Sequence, residues 1–251
     1  MTLATRIALL LSGIFTLVFG LAVVLALNYF EERYVFLAGH HQFTTLQGYA
    51  ESIEGKISTA HTTLAGAGKL VDNKLLSQPN EAQRFLDSRT FLQRNFKQGL
   101  FLFDTAGRLV AASPASLVAA RSKAITDTET QLVQRTLSQR APQMSAPFAI
   151  PSAATEPLIA LSAPVFGPDQ DIIGVIQGSM ELLDTNYMGH VAQVKVGDTG
   201  YLYMLTRDRT MLLHPDPSRR MGLAAKPGQN KGLDKAIDTH FVGTTETVNS
   251  T

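Results

Sequence analysis

The sequence contains no cysteine and no tryptophan, and its charges nearly cancel. Without cysteine there are no disulfides, no thiolate metal sites and no cysteine nucleophile, and the chain suits an oxidising or a reducing compartment equally. Its 22 basic and 21 acidic residues leave a net charge of +1, so no field of one sign attracts nucleic acid. We therefore expect no nucleic-acid partner. With 251 residues and 45% hydrophobic side chains, the composition is that of a globular chain with room for one large or two small domains.

Motifs for a bound cofactor or metal are also missing. Residues 64–70 carry Gly66, Gly68 and a lysine, but the spacing G-x-x-x-x-G-K-[ST] fails and Leu70 stands where a hydroxyl would hold magnesium. His40 and His41 are adjacent, so on a helix they point about 100° apart and cannot chelate one ion. We expect no cofactor and no metal.

Catalysis is likewise disfavoured. His214 and Asp216 could serve as a base and its orienting carboxylate, yet no nucleophile motif such as G-x-S-x-G accompanies them. We interpret His214 as structural and expect that the chain is not an enzyme. A periplasmic hydrolase stays the least favoured alternative, and it would require turnover that is lost on His214→Ala.

A membrane segment opens the chain. Residues 7–27 contain neither charge nor proline, close to the ~20 residues that cross ~30 Å of hydrocarbon. Arg6 precedes this run and residues 31–33 are charged, which predicts a cytoplasmic N-terminus and a periplasmic location for everything after Leu27. The alternative is a cleaved signal peptide, but the apolar run exceeds the ~7–15 residues of an ordinary signal core.

A long stalk helix is predicted after the membrane segment. Residues 31–75 contain no proline, and their apolar side chains recur three or four apart on one helical face. Gly66 and Gly68 each cost roughly 1 kcal/mol relative to alanine. We therefore expect a kink or a break near them.

The middle of the chain alternates helices and strands. Asn80 is a candidate cap for a helix over residues 81–94, and Thr126 or Asp127 for a helix ending at Gln139. The turn D-T-A-G joins a predicted hairpin of residues 100–103 and 108–111. Three further predicted strands follow, over residues 147–150, 158–166 and 172–180. Helices before strands that pair through short turns describe an α+β unit on an antiparallel sheet.

The last part of the chain carries the most distinctive motif. Residues 196–217 predict a loop, a strand, a polar corner and a second strand that stops at prolines. The order G-x-T-G-Y (Gly197 to Tyr201) and then H-P-D (residues 214–216) resembles the membrane-proximal module of double Cache (dCache) sensor domains. Residues 103–113, with F-D-T-A-G-R, and 163–179, with A-P-V-F-G-P-D, resemble the membrane-distal module more weakly.

This resemblance implies an α+β architecture in which a long N-terminal helix precedes two PAS-like antiparallel-sheet modules. The proximal module lacks two or three strands, so we expect the chain to be the N-terminal part of a longer receptor or a truncated product. The predicted organisation is a cytoplasmic N-terminus (1–6), a transmembrane helix (7–27), a stalk helix (31–75), a distal module (76–182), a linker helix (183–195) and an incomplete proximal module (196–251).

The resemblance also suggests where a ligand binds, which is the distal module. Amino-acid-binding members carry an Arg-x-x-Tyr arrangement, absent from residues 127–134, and an aspartate on the last strand, where Ser179 aligns. We therefore expect no amino-acid ligand. Arg121 is the best candidate to pair with a ligand carboxylate. The candidate ligand-binding residues are Phe101, Phe103, Ser113, Arg121, Asp127, Ser145 and Ser179.

The function implied is small-molecule sensing by a homodimeric receptor in the cytoplasmic membrane, with the sensor in the periplasm. The amino-acid sequence of residues 196–251, particularly R-T-M-L-L-H-P-D-P-S-R followed by G-L-D-K-A-I, most resembles that of family members in cyclic-di-GMP signalling. The alternatives are a chemotaxis transducer, a histidine kinase sensor, and a membrane-anchored solute-binding protein without an output domain.

Overall fold

A computed structural model describes residues 3–117, 123–150, 153–197 and 200–243; within them, the side chains of residues 3–11, 31–42, 123–124 and 153 are not described. The α-helices given bounds in these ranges are α1 (Leu3–Gly68), α2 (Asn73–Leu76), α3 (Pro79–Asp87), α4 (Thr90–Asn95), α5 (Lys123–Gln139) and α6 (Lys231–Thr239). The longer strands are β1 (Leu100–Asp104), β2 (Leu109–Ser113), β5 (Ala153–Phe166) and β6 (Ile172–Glu181). The shorter strands are β3 (Gln143–Met144), β4 (Phe148–Ile150), β7 (Lys195–Val196), β8 (Gly200–Tyr201), β9 (Met204–Leu205) and β10 (Met211–Leu213).

Helix α1 runs unbroken for 66 residues. Its stretch Ser12–Phe30 has a mean hydropathy of 2.1, and none of it is buried. Among the helices in the described ranges, α1 alone is long and apolar enough to cross a membrane. The helix ends at Gly68, where an added Cβ would lie 3.3 Å from Ile176 on the sheet. The break predicted near Gly66 and Gly68 is thus the end of the helix, where Gly68 lies against the sheet.

One antiparallel sheet organises the middle of the chain. Its strand order is β2-β1-β6-β5-β3, and β4 also pairs with β5. The β5–β6 hairpin is the longest pairing, running from Leu158 opposite Glu181 to Phe166 opposite Ile172. Strand β6 is central, because β1 pairs along its other edge with Phe101 opposite Gln177. The predicted α+β architecture is confirmed.

The sheet is covered on both faces. Leu102, Leu161 and Ile176 face a core formed with α1, α3 and α4. Side chains of adjacent residues on a strand point to opposite faces. Accordingly Phe101 and Val175 belong to a second apolar cluster, together with side chains of α5.

Three predicted helices differ from the observed ones. The helix expected over residues 81–94 is two helices, α3 and α4, and this break buries both Leu86 and Leu92. Six residues apart on a single helix, these two would be rotated about 120° from one another. The chain is already helical at Lys123, before the expected caps Thr126 and Asp127.

The predicted linker helix at residues 183–195 is wrong. This segment consists of turns, a short 3-10 helix at Val191–Gln193 and the strand β7. The Asp184 carboxylate accepts a hydrogen bond from the Asn186 backbone N–H at 2.9 Å, and the Asp184 carbonyl accepts one from Tyr187. Such local side-chain bonds compete with helix formation.

Residues 195–243, called the proximal segment below, contain two small antiparallel strand pairs, β7–β8 and β9–β10, and the helix α6. Arg209, at the corner predicted between the strands, is nearly buried and takes a left-handed backbone conformation with φ of 68°. Its guanidinium donates to the Ala225 carbonyl at 2.9 Å and pairs with the Asp234 carboxylate at 2.7 Å. This ion pair holds α6 against the corner.

Tyr187 fastens the linker to the rest of the fold. Its buried hydroxyl donates to the Asn95 carbonyl at 3.1 Å, and its own carbonyl accepts from Lys56 of α1 at 3.1 Å. Burial, assisted by the nearby Asp184 carboxylate, raises the pKa of Tyr187 to about 12. The linker is therefore anchored to both α1 and α4.

We predict that Tyr187 makes the protein sensitive to alkali. Between pH 10 and 12 the folded protein keeps the phenol proton while the unfolded chain loses it, so the free energy of unfolding falls as the pH rises. Tyr187→Phe removes this contribution and costs about 1 kcal/mol at pH 8, through the lost hydrogen bond. Urea unfolding at pH 8 and pH 11 measures both effects, with Tyr203→Phe, at an exposed position, as the control. A difference between wild type and Tyr187→Phe that does not shrink with pH would contradict this account.

Candidate ligand-binding site

The sheet face beneath α5 carries polar side chains within an apolar surface. On β6, Val175, Gln177 and Ser179 alternate with the residues that face α1, so all three lie on the α5 side. Gln177 is 0% exposed and Ser179 is 3% exposed. Gln177 lies between Phe101 on β1 and Ser162 on β5 in the sheet register. The middle of this face is therefore polar and buried.

Gln177 and Ser179 are also unpaired. Neither amide atom of Gln177 nor the hydroxyl of Ser179 makes a hydrogen bond with any residue in the described part of the chain. Because both amide atoms are unpaired, a flip of the amide would not change this conclusion. Leaving a buried polar group unpaired costs about 1–3 kcal/mol. Folding thus keeps two costly groups at adjacent positions on one face of the central strand.

The polar side chains around them are satisfied. The Ser162 hydroxyl shares a hydrogen bond of 2.5 Å with Thr136 of α5, and Thr136 also donates to the Leu132 carbonyl at 2.8 Å. The Ser145 hydroxyl accepts from the Ala160 backbone N–H at 2.9 Å. The same face can therefore provide hydrogen-bond partners, which makes the unpaired state of Gln177 a local property of that position.

Sequence reasoning missed Gln177 and a second residue of this face, the buried Glu129 of α5. A signal existed for each. Gln177 is the one amide in the apolar run I-I-G-V-I-Q-G, at even spacing from Val175. Glu129 lies at helical spacing from Ile125, Leu132 and Val133, which are all buried.

The structure spreads the predicted site residues over three locations. Phe101 and Phe103 are buried on the α5 face with ring centroids 6.5 Å apart, and Ser179 lies on the same face. Ser145 is buried beside β5 at the edge of that face. These four residues are therefore grouped near Gln177.

The remaining three predicted residues are not part of this group. Ser113 lies on the opposite side of the sheet, where its hydroxyl donates to Asp87 at 2.6 Å and accepts from Gln93 at 3.0 Å. Asp127 is exposed near the start of α5. Arg121 lies outside the described residues.

A groove lies elsewhere, along α1. It encloses about 770 Å³ between Ile53 and Ile57 of the helix and Met144 beside the sheet, and mostly apolar surface lines it. Small-ligand sites combine apolar walls with a few convergent polar groups. The groove has mostly apolar walls, whereas the α5 face holds two buried polar side chains without partners beside an apolar cluster.

Solved structures share this fold at low sequence identity. The chain resembles the ligand-binding domain of the Pseudomonas aeruginosa PAO1 amino acid chemoreceptor PctC in complex with GABA, at 20% identity and a TM-score of 0.54, covering 75% of this chain and 78% of that one. It also resembles the ligand-binding domain of Mlp24 with asparagine, at 17% identity and a TM-score of 0.55, covering 75% of each chain.

A third similar structure is the ligand-binding domain of the Pseudomonas fluorescens chemoreceptor CtaA in complex with L-leucine, at 16% identity, a TM-score of 0.52 and 75% coverage of each chain. No family model and no curated protein matches the sequence. All three neighbours are ligand-binding domains. The chain thus shares the fold of these ligand-binding domains, joined to an N-terminal apolar helix.

Proposed function

We propose that this chain is the extracytoplasmic small-molecule-sensing region of a membrane-anchored receptor. The observation that carries the proposal is the pair of buried, unpaired side chains of Gln177 and Ser179 under α5. An amide and a hydroxyl both donate and accept hydrogen bonds, so together they match a small polar ligand. The exposed apolar stretch Ser12–Phe30 supports the membrane anchor.

Sensing requires the ligand to favour one of two states of the receptor. Strand β6 carries both polar side chains and leads directly into the linker that Tyr187 fastens to α1. A ligand that pulls Gln177 and Ser179 toward α5 would therefore act on a strand whose end is coupled to the membrane helix. Arg121 stays part of this proposal as the group that pairs with a ligand carboxylate.

The family and the output follow from the sequence resemblance. We infer a double Cache receptor whose output controls cyclic-di-GMP, acting as a homodimer. A chemotaxis output is the second candidate, because PctC and CtaA are chemoreceptors. In cells carrying the full-length receptor, Ser179→Ala alters the cyclic-di-GMP concentration in the first case and the swimming bias in the second.

Ligand binding is tested by thermal unfolding of the chain with GABA, asparagine, leucine, acetate and succinate. The three amino acids are ligands of the structural neighbours, and the two acids test the expected carboxylate. A ligand at 100 times its Kd adds about 2.7 kcal/mol of stability, which raises the Tm by about 5–11 °C in a chain of this size. Ser179→Ala should lower the affinity for the compound that binds by about tenfold.

The matched control is Ser138→Ala, the same change at an exposed position near the end of α5. We expect it to leave the affinity unchanged. Equal affinities of wild type and Ser179→Ala would remove this face of the sheet from the binding site.

A further inference from the structure

The proximal segment contains a cavity of its own, about 490 Å³ in volume, between the β9–β10 pair and the start of α6. The rings of Tyr201 and Tyr203 and the side chains of Met211 and Leu233 form apolar walls. His214 and Arg219 supply polar groups to the same cavity. This is a different place from the α5 face, so the inference does not depend on the function proposed above.

His214 presents a hydrogen-bond donor to this cavity. The side chain is 5% exposed, and its Nδ1 accepts a hydrogen bond from the Asp216 backbone N–H at 3.0 Å. A ring proton on Nδ1 would point at that N–H. Nδ1 also lies 3.3 Å from the Asp216 carbonyl, but its contact with the N–H is the shorter of the two, so we assign the ring proton to Nε2. His214 is held in this orientation by the edge of the Tyr201 ring, with centroids 5.0 Å apart.

Arg219 directs a second donor to the same point. Its Nη1 lies 3.4 Å from Nε2 of His214, so two N–H groups face each other. Oδ1 of Asp216 accepts from the backbone N–H of Ser218 at 2.9 Å and from the Ser218 hydroxyl at 2.8 Å. Two donors that converge in this way match the two oxygens of a carboxylate, and hydrogen bonds to a charged acceptor are the strong ones.

We propose that this cavity is a second binding site, for a small organic carboxylate with a planar apolar body. The carboxylate accepts from Nε2 of His214 and from the guanidinium of Arg219. The apolar body packs against the rings of Tyr201 and Tyr203, which line the cavity with centroids 6.4 Å apart and planes tilted by 56°. Aromatic walls favour a flat ligand over a compact anion such as phosphate.

The test is isothermal titration of the full chain in detergent with benzoate, with benzamide and inorganic phosphate as comparison probes. We expect benzoate to bind, benzamide to bind at least about tenfold more weakly because it has no charge, and phosphate not to bind. Arg219→Gln should lower the affinity for benzoate by about tenfold or more. Arg219 is exposed at the end of a short 3-10 helix, so the change leaves the fold intact.

The matched control is Arg207→Gln, which removes the same charge from an exposed position in the same segment. It should leave benzoate binding unchanged. Gln177→Met should do the same, which separates this site from the α5 face. The proposal is overturned by absent benzoate binding, by phosphate binding in its place, by equal loss in Arg207→Gln and Arg219→Gln, or by loss in Gln177→Met alone.

Discussion

Replacing Gln177 by methionine raises the stability of the ligand-free protein and abolishes its response to ligand. Methionine has a similar length and no polar atom that needs a partner, so the change removes the cost of a buried, unpaired amide. That cost is about 1–3 kcal/mol, and the Tm should rise by about 2–12 °C. Thermal unfolding with and without the compounds that stabilise the wild type measures both effects. Gain of stability with loss of function is the behaviour of a residue kept for binding.

Ser162→Ala provides the comparison within the same face. Ser162 lies opposite Gln177 on the neighbouring strand and is equally buried, but its hydroxyl is bonded to Thr136. Removing a satisfied hydrogen bond costs about 1 kcal/mol, so the two changes should shift the Tm in opposite directions. A lower Tm for Gln177→Met, together with an unchanged ligand response, would show that Gln177 is an ordinary core residue.

The largest expected loss of stability comes from Gly178→Ala. Gly178 lies at the centre of the sheet between Leu100 and Leu161, and an added Cβ would approach the Phe96 ring to 2.5 Å. Phe96 is 1% exposed, so its ring has no room to retreat. Overpacking of this kind costs about 1–3 kcal/mol, and we expect the upper end because the ring is enclosed. The midpoint of urea unfolding should fall accordingly.

Gly55→Ala is the matched control for that substitution. Gly55 lies within α1, where an added Cβ would meet nothing within 4 Å. Alanine is favoured over glycine in a helix by up to about 1 kcal/mol, so this change should be neutral or stabilising. Equal midpoints for Gly178→Ala and wild type would mean that the packing of Phe96 on β6 is looser than described.

The sequence predicted the parts of the fold that local patterns determine. The hairpin β1–β2 follows from the turn D-T-A-G between two apolar runs, and the strands β5 and β6 follow from apolar runs separated by a Gly-Pro-Asp corner. The predicted ends of the helices are wrong where tertiary packing, rather than a local sequence pattern, determines them. The break between α3 and α4 is needed to bury Leu86 and Leu92 together, and no local signal at Ser88 announces it.

The candidate site was predicted only in part, for a similar reason. Ser179 was selected by alignment with a family motif and Phe101 by its place on the first strand, and both lie on the α5 face. Ser113 shares its strand with a residue of that face, but the alternation along β2 turns it to the other side. Gln177 could be recognised only once the pairing of β6 with β1 and β5 showed that its amide has no partner.

The most direct test of the central claim is a crystal structure of the chain with the compound that gives the largest thermal shift. The account predicts a ligand between α5 and β6, with its polar atoms at about 2.7–3.2 Å from the Gln177 amide and the Ser179 hydroxyl. A ligand bound elsewhere, with the Gln177 side chain still unpaired beneath α5, would contradict it.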